Sequence, residues 1–190
     1  MTTADDAGSP VTTIHAATRA GAGEKTLPAA ALYAVAGTVV LLDQAVKAWA
    51  SAKLQPVGTI PVIPRVFELT YAQNRGMAFS LLEGQRYLLV AAAVFVIGGI
   101  VWAQRRVGAK LPATFAISLA LALGGALGNL VDRARFGYVV DLFYARVINF
   151  PIFNVADAAI TLGIALLAWR VAVTPAPEPR VESAAEPEAA

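Results

Sequence analysis

The chain has 190 residues, of which 57% are hydrophobic and 15% are charged. Soluble domains carry about 25% charged residues, so this composition, with a mean hydropathy of +0.62, indicates an integral membrane protein. The net charge of +2 is too small to predict a nucleic-acid partner, and the absence of cysteine excludes disulfides, thiol nucleophiles and thiolate metal sites.

The N-terminal part predicts a tail followed by a first span. Residues 1–28 are polar without apolar periodicity, which predicts a disordered tail. Residues 29–50 are mostly apolar and would span about 33 Å as a helix, enough to cross a bilayer. Ala48-Trp49-Ala50 imitates a signal-peptide cleavage site. The length of the run, with Asp43 and Lys47 in its last turns, favours a retained span. These two residues are four apart and can pair on one helix face, as an ordinary interfacial ion pair would.

A small β region is predicted at 55–84 and 136–150, outside the membrane. Residues 59–63 and 66–71 are rich in β-branched and aromatic side chains, and the second run alternates with the period of a half-buried strand. A turn is expected at 73–76, and a further strand or extended loop at 136–143.

Three more apolar runs, at 85–104, 111–131 and 153–173, complete four predicted spans. In the third, Gly124 and Gly128 allow close helix contact. Residues 174–190, rich in Pro, Glu and Ala, predict a second disordered tail. The expected fold is therefore an all-α membrane protein over residues 29–173, with four transmembrane helices and a small extracytoplasmic β-sheet.

Four spans place both termini on one side of the membrane. The total number of Lys and Arg residues is the same on both sides, but Arg105, Arg106 and Lys110 form the densest basic loop. Because cytoplasmic loops are enriched in Lys and Arg, we expect this loop and both tails to be cytoplasmic.

Polar residues collect at the opposite ends of the spans. Asp132, Asp141 and Asp157 are the only carboxylates between Glu83 and Glu178, and ionisable groups are costly to hold in a membrane. The spacings i, i+3 and i+4 put several polar side chains on shared helix faces. The residues that this topology gathers are Asp43, Lys47, Asn74, Asn129, Asp132, Arg133, Asp141, Asn154 and Asp157.

Two carboxylates that share a site hold one proton between them. One member can then deprotonate a water while the other protonates a carbonyl oxygen or a leaving amine. Asp157 is expected at a helix N-terminus, which favours its ionised form. The structural alternative is that the aspartates cap helices and bind Arg133, Arg135 and Arg146.

Two other functions fit the composition. A transporter would place its acids near the middle of the membrane, whereas these lie at the ends of spans. A non-enzymatic assembly or chaperone protein would not depend on the aspartates. A serine peptidase is disfavoured because the only histidine, His15, lies in the N-terminal tail.

Five motifs resemble those of the lipoprotein signal peptidase (signal peptidase II) family. They are Asp43-Gln44-x-x-Lys47, Asn74-x-Gly76-x-Ala78-Phe79, Gly124-Gly125-Ala126-x-Gly128-Asn129-x-x-Asp132-Arg133, Val139-Val140-Asp141 and Phe153-Asn154-x-Ala156-Asp157. The resemblance implies an aspartic peptidase of the bacterial plasma membrane. Such an enzyme removes signal peptides from prolipoproteins just before a diacylglyceryl-modified cysteine.

The resemblance also implies roles for single residues. Asp141 and Asp157 would be the catalytic pair, and Asp132 is the alternative to Asp141. An ion pair between Asp132 and Arg133 favours a structural role for Asp132. The implied positioning and substrate-binding residues are Asp43, Lys47, Asn74, Gly76, Asn129, Asp132, Arg133 and Asn154. No metal, cofactor or nucleic acid is expected; the partners are prolipoproteins and membrane lipids, and the enzyme would be a monomer. Met77 departs from the small residue usual in the family.

Overall fold

The computed structural model describes residues 25–76, 84–107 and 109–174. Four long helices dominate it: α1 (Ala29–Trp49), α2 (Arg86–Val107), α3 (Ala113–Phe136) and α4 (Val155–Val173). A π-helical turn, Ala50–Leu54, extends α1. All four helices are long and apolar enough to cross a membrane, which confirms the four predicted spans.

The first three helices end later than the apolar runs predicted, whereas α4 ends at residue 173 as expected. The first span ends at Leu54 rather than residue 50, because Ala50 and Leu54 are fully buried against Val140 and Leu142. Packing therefore keeps this last turn helical although its sequence is more polar. The third span was expected to end at residue 131. It continues to Phe136 and stops at Gly137, whose φ of 82° is the left-handed conformation that glycine adopts readily.

α3 is the central helix and packs against each of the other three. Its core residues Phe115, Leu119 and Leu123 meet Leu32 and Ala36 of α1. Glycine permits the close approach that the sequence predicted at position 124. A Cβ on Gly124 would lie 2.7 Å from the Ala36 carbonyl oxygen. α2 packs mainly on α3 and buries only two of its described residues, Leu89 and Gln104.

Beyond the ends of α1 and α3 lies a three-stranded antiparallel sheet with the order β2-β3-β5. Its strands are β2 (Thr59–Ile63), β3 (Phe67–Asn74) and β5 (Val139–Tyr144). This sheet confirms the predicted β region. The expected turn at 73–76 was placed too early, because Gln73 and Asn74 pair with Val140 and Val139 and belong to β3. That pairing carries the side chain of Asn74 to the strand that contains Asp141.

A second, two-stranded sheet lies at the other end of the helices. Its strands are β1 (Thr26–Pro28) and β4 (Lys110–Pro112), which pair antiparallel. The sequence predicted that residues 1–28 form a disordered tail, but Thr26–Pro28 forms a strand. Three-residue strands are too short to leave a periodic signal. Residues 1–24 and 175–190, where the two tails were predicted, lie outside the described residues.

Candidate active site

The polar residues that the sequence singled out meet at the end of the bundle that carries the three-stranded sheet. α1 and the end of α3 provide the floor, β3 and β5 provide one wall, and the first turn of α4 provides the other. Asp141 lies in β5 and Asp157 at the start of α4, so neither carboxylate lies at the middle of a span. This placement disagrees with the transporter alternative.

Asn154 connects the two aspartates. Its side-chain Nδ2 donates to Asp141 Oδ1 at 2.6 Å, and its backbone N–H donates to Asp157 Oδ2 at 3.2 Å. The Asn154 Oδ1 in turn accepts from the Asp157 backbone N–H at 2.9 Å, which completes a capping box at the start of α4. The i, i+3 spacing in the sequence thus becomes a rigid link between the helix and the strand.

Asn74 and Asn129 each donate to one of these carboxylates. Asn74 Nδ2 donates to Asp141 Oδ2 at 3.0 Å, and Asn129 Nδ2 donates to Asp157 Oδ1 at 2.8 Å. The orientation of Asn74 is fixed because its Oδ1 accepts the Gly76 N–H at 2.9 Å. Each of the four carboxylate oxygens therefore faces an N–H donor.

Lys47 is the hub of the buried floor. Its Nζ lies 2.9 Å from Asp43 Oδ2, 3.1 Å from Asp132 Oδ2 and 2.9 Å from Asn129 Oδ1. These three contacts use the three ammonium protons, and the side chain is only 4% exposed. Pairing of Asp43 with Lys47 agrees with their i, i+4 spacing. The triad of Lys47, Asp43 and Asp132 thus fixes the position of Asn129, which in turn donates to Asp157.

Asp132 is engaged in structural contacts. It pairs with Lys47 and not with Arg133, because successive residues on a helix point in different directions. Its Oδ2 also accepts the Val140 N–H at 3.0 Å, which ties α3 to β5. Arg133 instead donates to the Gly76 carbonyl oxygen at 3.0 Å. The expected ion pair between Asp132 and Arg133 was therefore wrong, although Asp132 does have a structural ion pair.

Neither Asp141 nor Asp157 forms an ion pair with an arginine within the described part of the chain. Arg146 pairs with Glu68 instead, at 2.6 Å. The alternative in which the aspartates serve mainly to bind arginines is thus not what the structure shows. Asp157 does cap α4, so it combines that contact with its place beside Asp141.

The sequence-based site set omitted Gln44 and Gly128. Gln44 Nε2 donates to Asp132 Oδ1 at 2.9 Å and to Asp43 Oδ2 at 3.2 Å. A Cβ on Gly128 would lie 2.6 Å from Asp43 Oδ2, so only glycine leaves room for that carboxylate. For Gln44, the available signal was a polar amide next to Asp43 in an otherwise apolar run. For Gly128, the sequence predicted close contact with the backbone of another helix, whereas the structure shows contact with the side chain of Asp43.

Burial raises the pKa of Asp141 to about 7, and the negative charge of Asp157 acts in the same direction. Hydrogen bonds from Asn74 and Asn154 and the positive charge of Lys47 oppose this shift of the pKa. A carboxyl with a pKa near 7 exchanges its proton easily at neutral pH, which suits a general acid or base.

The two aspartates line a cavity of about 930 Å³, large enough for an extended peptide segment. One side of it is polar and is formed by β3 and α3, with Asn74, Asn129 and Arg133. The other side is apolar and is formed by residues 150–153 and the first turns of α4. Met77 lies outside the described residues. Among those that are described, no three His, Cys, Asp or Glu side chains cluster in a way that could hold a metal ion.

Comparisons with known proteins agree with this architecture. A family model described as "Signal peptidase (SPase) II" matches residues 35–173. The lipoprotein signal peptidase of Halothermothrix orenii is 44% identical over 137 residues, which cover 72% of this chain and 91% of that protein. The lipoprotein signal peptidase of Brevibacillus brevis is 43% identical over 136 residues, covering 71% of this chain and 90% of that protein.

Solved structures show the same fold. One, described as a bacterial membrane enzyme, superposes with a TM-score of 0.70 at 27% identity, covering 78% of this chain and 92% of that one. A second, described in the same words, gives a TM-score of 0.68 at 25% identity, covering 77% and 95%. With its four membrane-spanning helices and its match over most of its length, the chain belongs to the signal peptidase II family and is a multi-pass membrane peptidase.

Proposed function

We propose that this protein removes signal peptides from diacylglyceryl-modified prolipoproteins, cleaving before the lipidated cysteine with a water activated between Asp141 and Asp157. The observation that carries the mechanism is the bridge through Asn154. Its side chain donates to Asp141 at 2.6 Å while its backbone donates to Asp157 at 3.2 Å. Two carboxylates held from one residue, at the edge of a cavity, form an acid–base pair of fixed geometry.

The proton assignment follows from the surroundings of each carboxylate. Because burial raises the pKa of Asp141 to about 7, a large fraction of Asp141 is protonated at neutral pH, and we assign the shared proton to it. Asp157 accepts hydrogen bonds from Asn129 and from the Asn154 backbone at the N-terminus of α4, an arrangement that stabilises negative charge. Asp157 is therefore the base and Asp141 the acid in the first step.

In that step, water attacks the carbonyl carbon of the scissile bond. Asp157 takes a proton from the water while Asp141 gives its proton to the carbonyl oxygen, which yields a neutral tetrahedral diol. When the C–N bond breaks, Asp157 gives its proton to the leaving amine and Asp141 recovers a proton from the diol. Asp141 is then protonated again and Asp157 ionised, so the pair is ready for another turnover.

The apolar side of the cavity supports a lipid-modified substrate. Phe150, Ile152 and Phe153 line it above α4, and Ile160 and Leu162 continue it along the helix. Leu162 is 61% exposed on the outside of the bundle, where a membrane would contact it. A lipidated, largely apolar peptide can thus enter from the side. The curated relatives named above carry the name lipoprotein signal peptidase.

For localisation we propose a bacterial plasma membrane, with both termini in the cytoplasm and the site near the extracytoplasmic surface. Arg105, Arg106 and Lys110 form the densest basic loop, and they lie at the end of the helices opposite the three-stranded sheet. Because cytoplasmic loops are enriched in Lys and Arg, this loop supports a cytoplasmic position for that end. The enzyme would act as a monomer, in contact with membrane lipids and without a cofactor.

The test is cleavage of a diacylglyceryl-modified prolipoprotein by the purified protein in lipid nanodiscs. The matched control is the same prolipoprotein without the lipid. Mass spectrometry of the products should show one cut, immediately before the modified cysteine, and no cut in the control. Equal cleavage of both substrates, or a cut elsewhere, would contradict the proposal.

A further inference from the structure

The apolar side of the cavity contains one side-chain oxygen below Asp157. From residue 150 to 162, the described lining residues other than Asp157 have hydrocarbon side chains, except Thr161. Thr161 is exposed and lies one helical turn further along α4 than Asp157. Because α4 enters the membrane at its N-terminus, Thr161 lies deeper in the membrane than the catalytic carboxylate.

The hydroxyl of Thr161 is available only as an acceptor in this arrangement. Its Oγ1–H donates to the Asp157 carbonyl oxygen at 2.8 Å. The hydroxyl proton is thus used within the helix, and no N–H or O–H group of the described residues donates to the oxygen, so its lone pairs can accept from a substrate.

A peptide in the cavity needs such an acceptor. The signal peptide crosses the membrane as a helix, but the segment at the cleaved bond must be extended for water to attack it. Extending it frees backbone N–H groups in an apolar environment, where an unpaired N–H is costly. The cavity wall below Asp157 has to accept at least one of them.

We infer that Thr161 is a substrate-positioning residue that accepts a backbone N–H from the signal-peptide side of the scissile bond. This inference rests on the proposed function. The rise from residue 157 to residue 161 is about 6 Å along the helix, and an extended chain covers this in about two residues. The N–H in question therefore belongs to a residue about two positions before the cleaved bond.

The chain provides a matched control for Thr161. Thr38 of α1 is also exposed and also donates to the carbonyl oxygen four residues earlier, that of Ala34, at 3.0 Å. Thr38 does not line the cavity. A threonine-to-valine change at either position removes the same hydroxyl from the same helical setting.

The experiment compares T161V, T161S, T38V and the wild type on the lipidated prolipoprotein. T161V should lower kcat/KM about 5- to 30-fold, the usual cost of one lost hydrogen bond to a neutral group. T161S keeps the oxygen and should restore most of the activity, and T38V should match the wild type. The pH profile of kcat/KM for T161V should match that of the wild type. If the substitution acted through Asp157 instead, the profile would shift along the pH axis.

Substrates with a single backbone ester identify the donor. Replacing the amide N–H two residues before the cleaved bond should cost the wild type the same factor as T161V, and should cost T161V nothing further. Esters at neighbouring positions serve as controls, and the wild-type arm is informative even if T161V folds poorly.

Wild-type activity in T161V would overturn the inference and leave the proposed function intact. The inference would also be wrong if T161V lost the same further factor on the ester substrate as the wild type does, so that the two losses multiply. Failure of the wild type to cleave the lipidated substrate would instead remove the proposed function, and the inference with it.

Discussion

Lys47 Nζ donates a hydrogen bond of 2.9 Å to Asn129 Oδ1, and this contact leaves the amide nitrogen of Asn129 facing Asp157 Oδ1 at 2.8 Å. Asn154 Nδ2 also donates to Asn129 Oδ1, at 3.2 Å. With two donors on its oxygen, the Asn129 amide cannot rotate without losing both. The buried ammonium group of Lys47 thus determines that the amide nitrogen of Asn129, and not its oxygen, faces Asp157, a proposed catalytic carboxylate.

Replacing Lys47 with Met should lower the free energy of unfolding by about 3–5 kcal/mol, because it leaves Asp43 and Asp132 buried without their cation. Activity should fall as well, since Asn129 loses its fixed orientation. Thermal unfolding in detergent measures the first effect. Lys53→Met is the control, because Lys53 is exposed in the turn after α1. Equal melting temperatures for K47M and K53M would contradict the role of the triad.

Asp141→Asn and Asp157→Asn should each lower kcat by about 10²- to 10⁴-fold, the size of a general acid or base contribution. Because both residues act in one step of the proposed mechanism, the double variant should be hardly worse than either single one. Asp132→Asn should instead lower stability and retain cleavage, since the contacts of Asp132 are structural. An inactive D132N alongside an active D141N would assign the pair to Asp132 and Asp157.

The pH profile should have an alkaline limb set by Asp141. In the proposed mechanism the proton of Asp141 is needed in the first step, and burial raises its pKa to about 7. The value of kcat/KM should therefore fall about tenfold per pH unit above that pH. Asn74→Ala removes a hydrogen bond that lowers this pKa, so the limb of the variant should move to higher pH. A limb that stays in place, or moves to lower pH, would argue against Asp141 as the acid.

Gly128→Ala should destabilise the protein by about 1–3 kcal/mol and reduce activity, because the added Cβ would lie 2.6 Å from Asp43 Oδ2. Displacing Asp43 also disturbs Lys47. Gly98→Ala in α2 is the control, since its Cβ would have no neighbour within 4 Å. Thermal unfolding and cleavage rates of the two variants should differ clearly. Similar values for both would show that the floor tolerates the added methyl group.

The sequence by itself determined the four spans, because an apolar run of about 20 residues has few alternatives to a membrane helix. It also determined local pairs. The i, i+4 spacing of Asp43 and Lys47 and the i, i+3 spacing of Asn154 and Asp157 became an ion pair and a capping box. Such pairs depend only on helix geometry, which is the same in every protein.

The topology predicted that the polar residues of the site gather at one end, but tertiary structure alone decided which of them contact each other. Asp132 was expected to bind its neighbour Arg133, but it binds Lys47 of another helix, 3.1 Å away. Asn74 was placed in a turn, yet strand pairing with Val139 brings it to Asp141. Thr161 gave no local signal, because it matters for the cavity that it lines. Gly128 was expected to allow close helix contact, but only the fold shows that it leaves room for the Asp43 carboxylate. These contacts join segments far apart in the chain, and helix packing, rather than residue spacing, sets their distances.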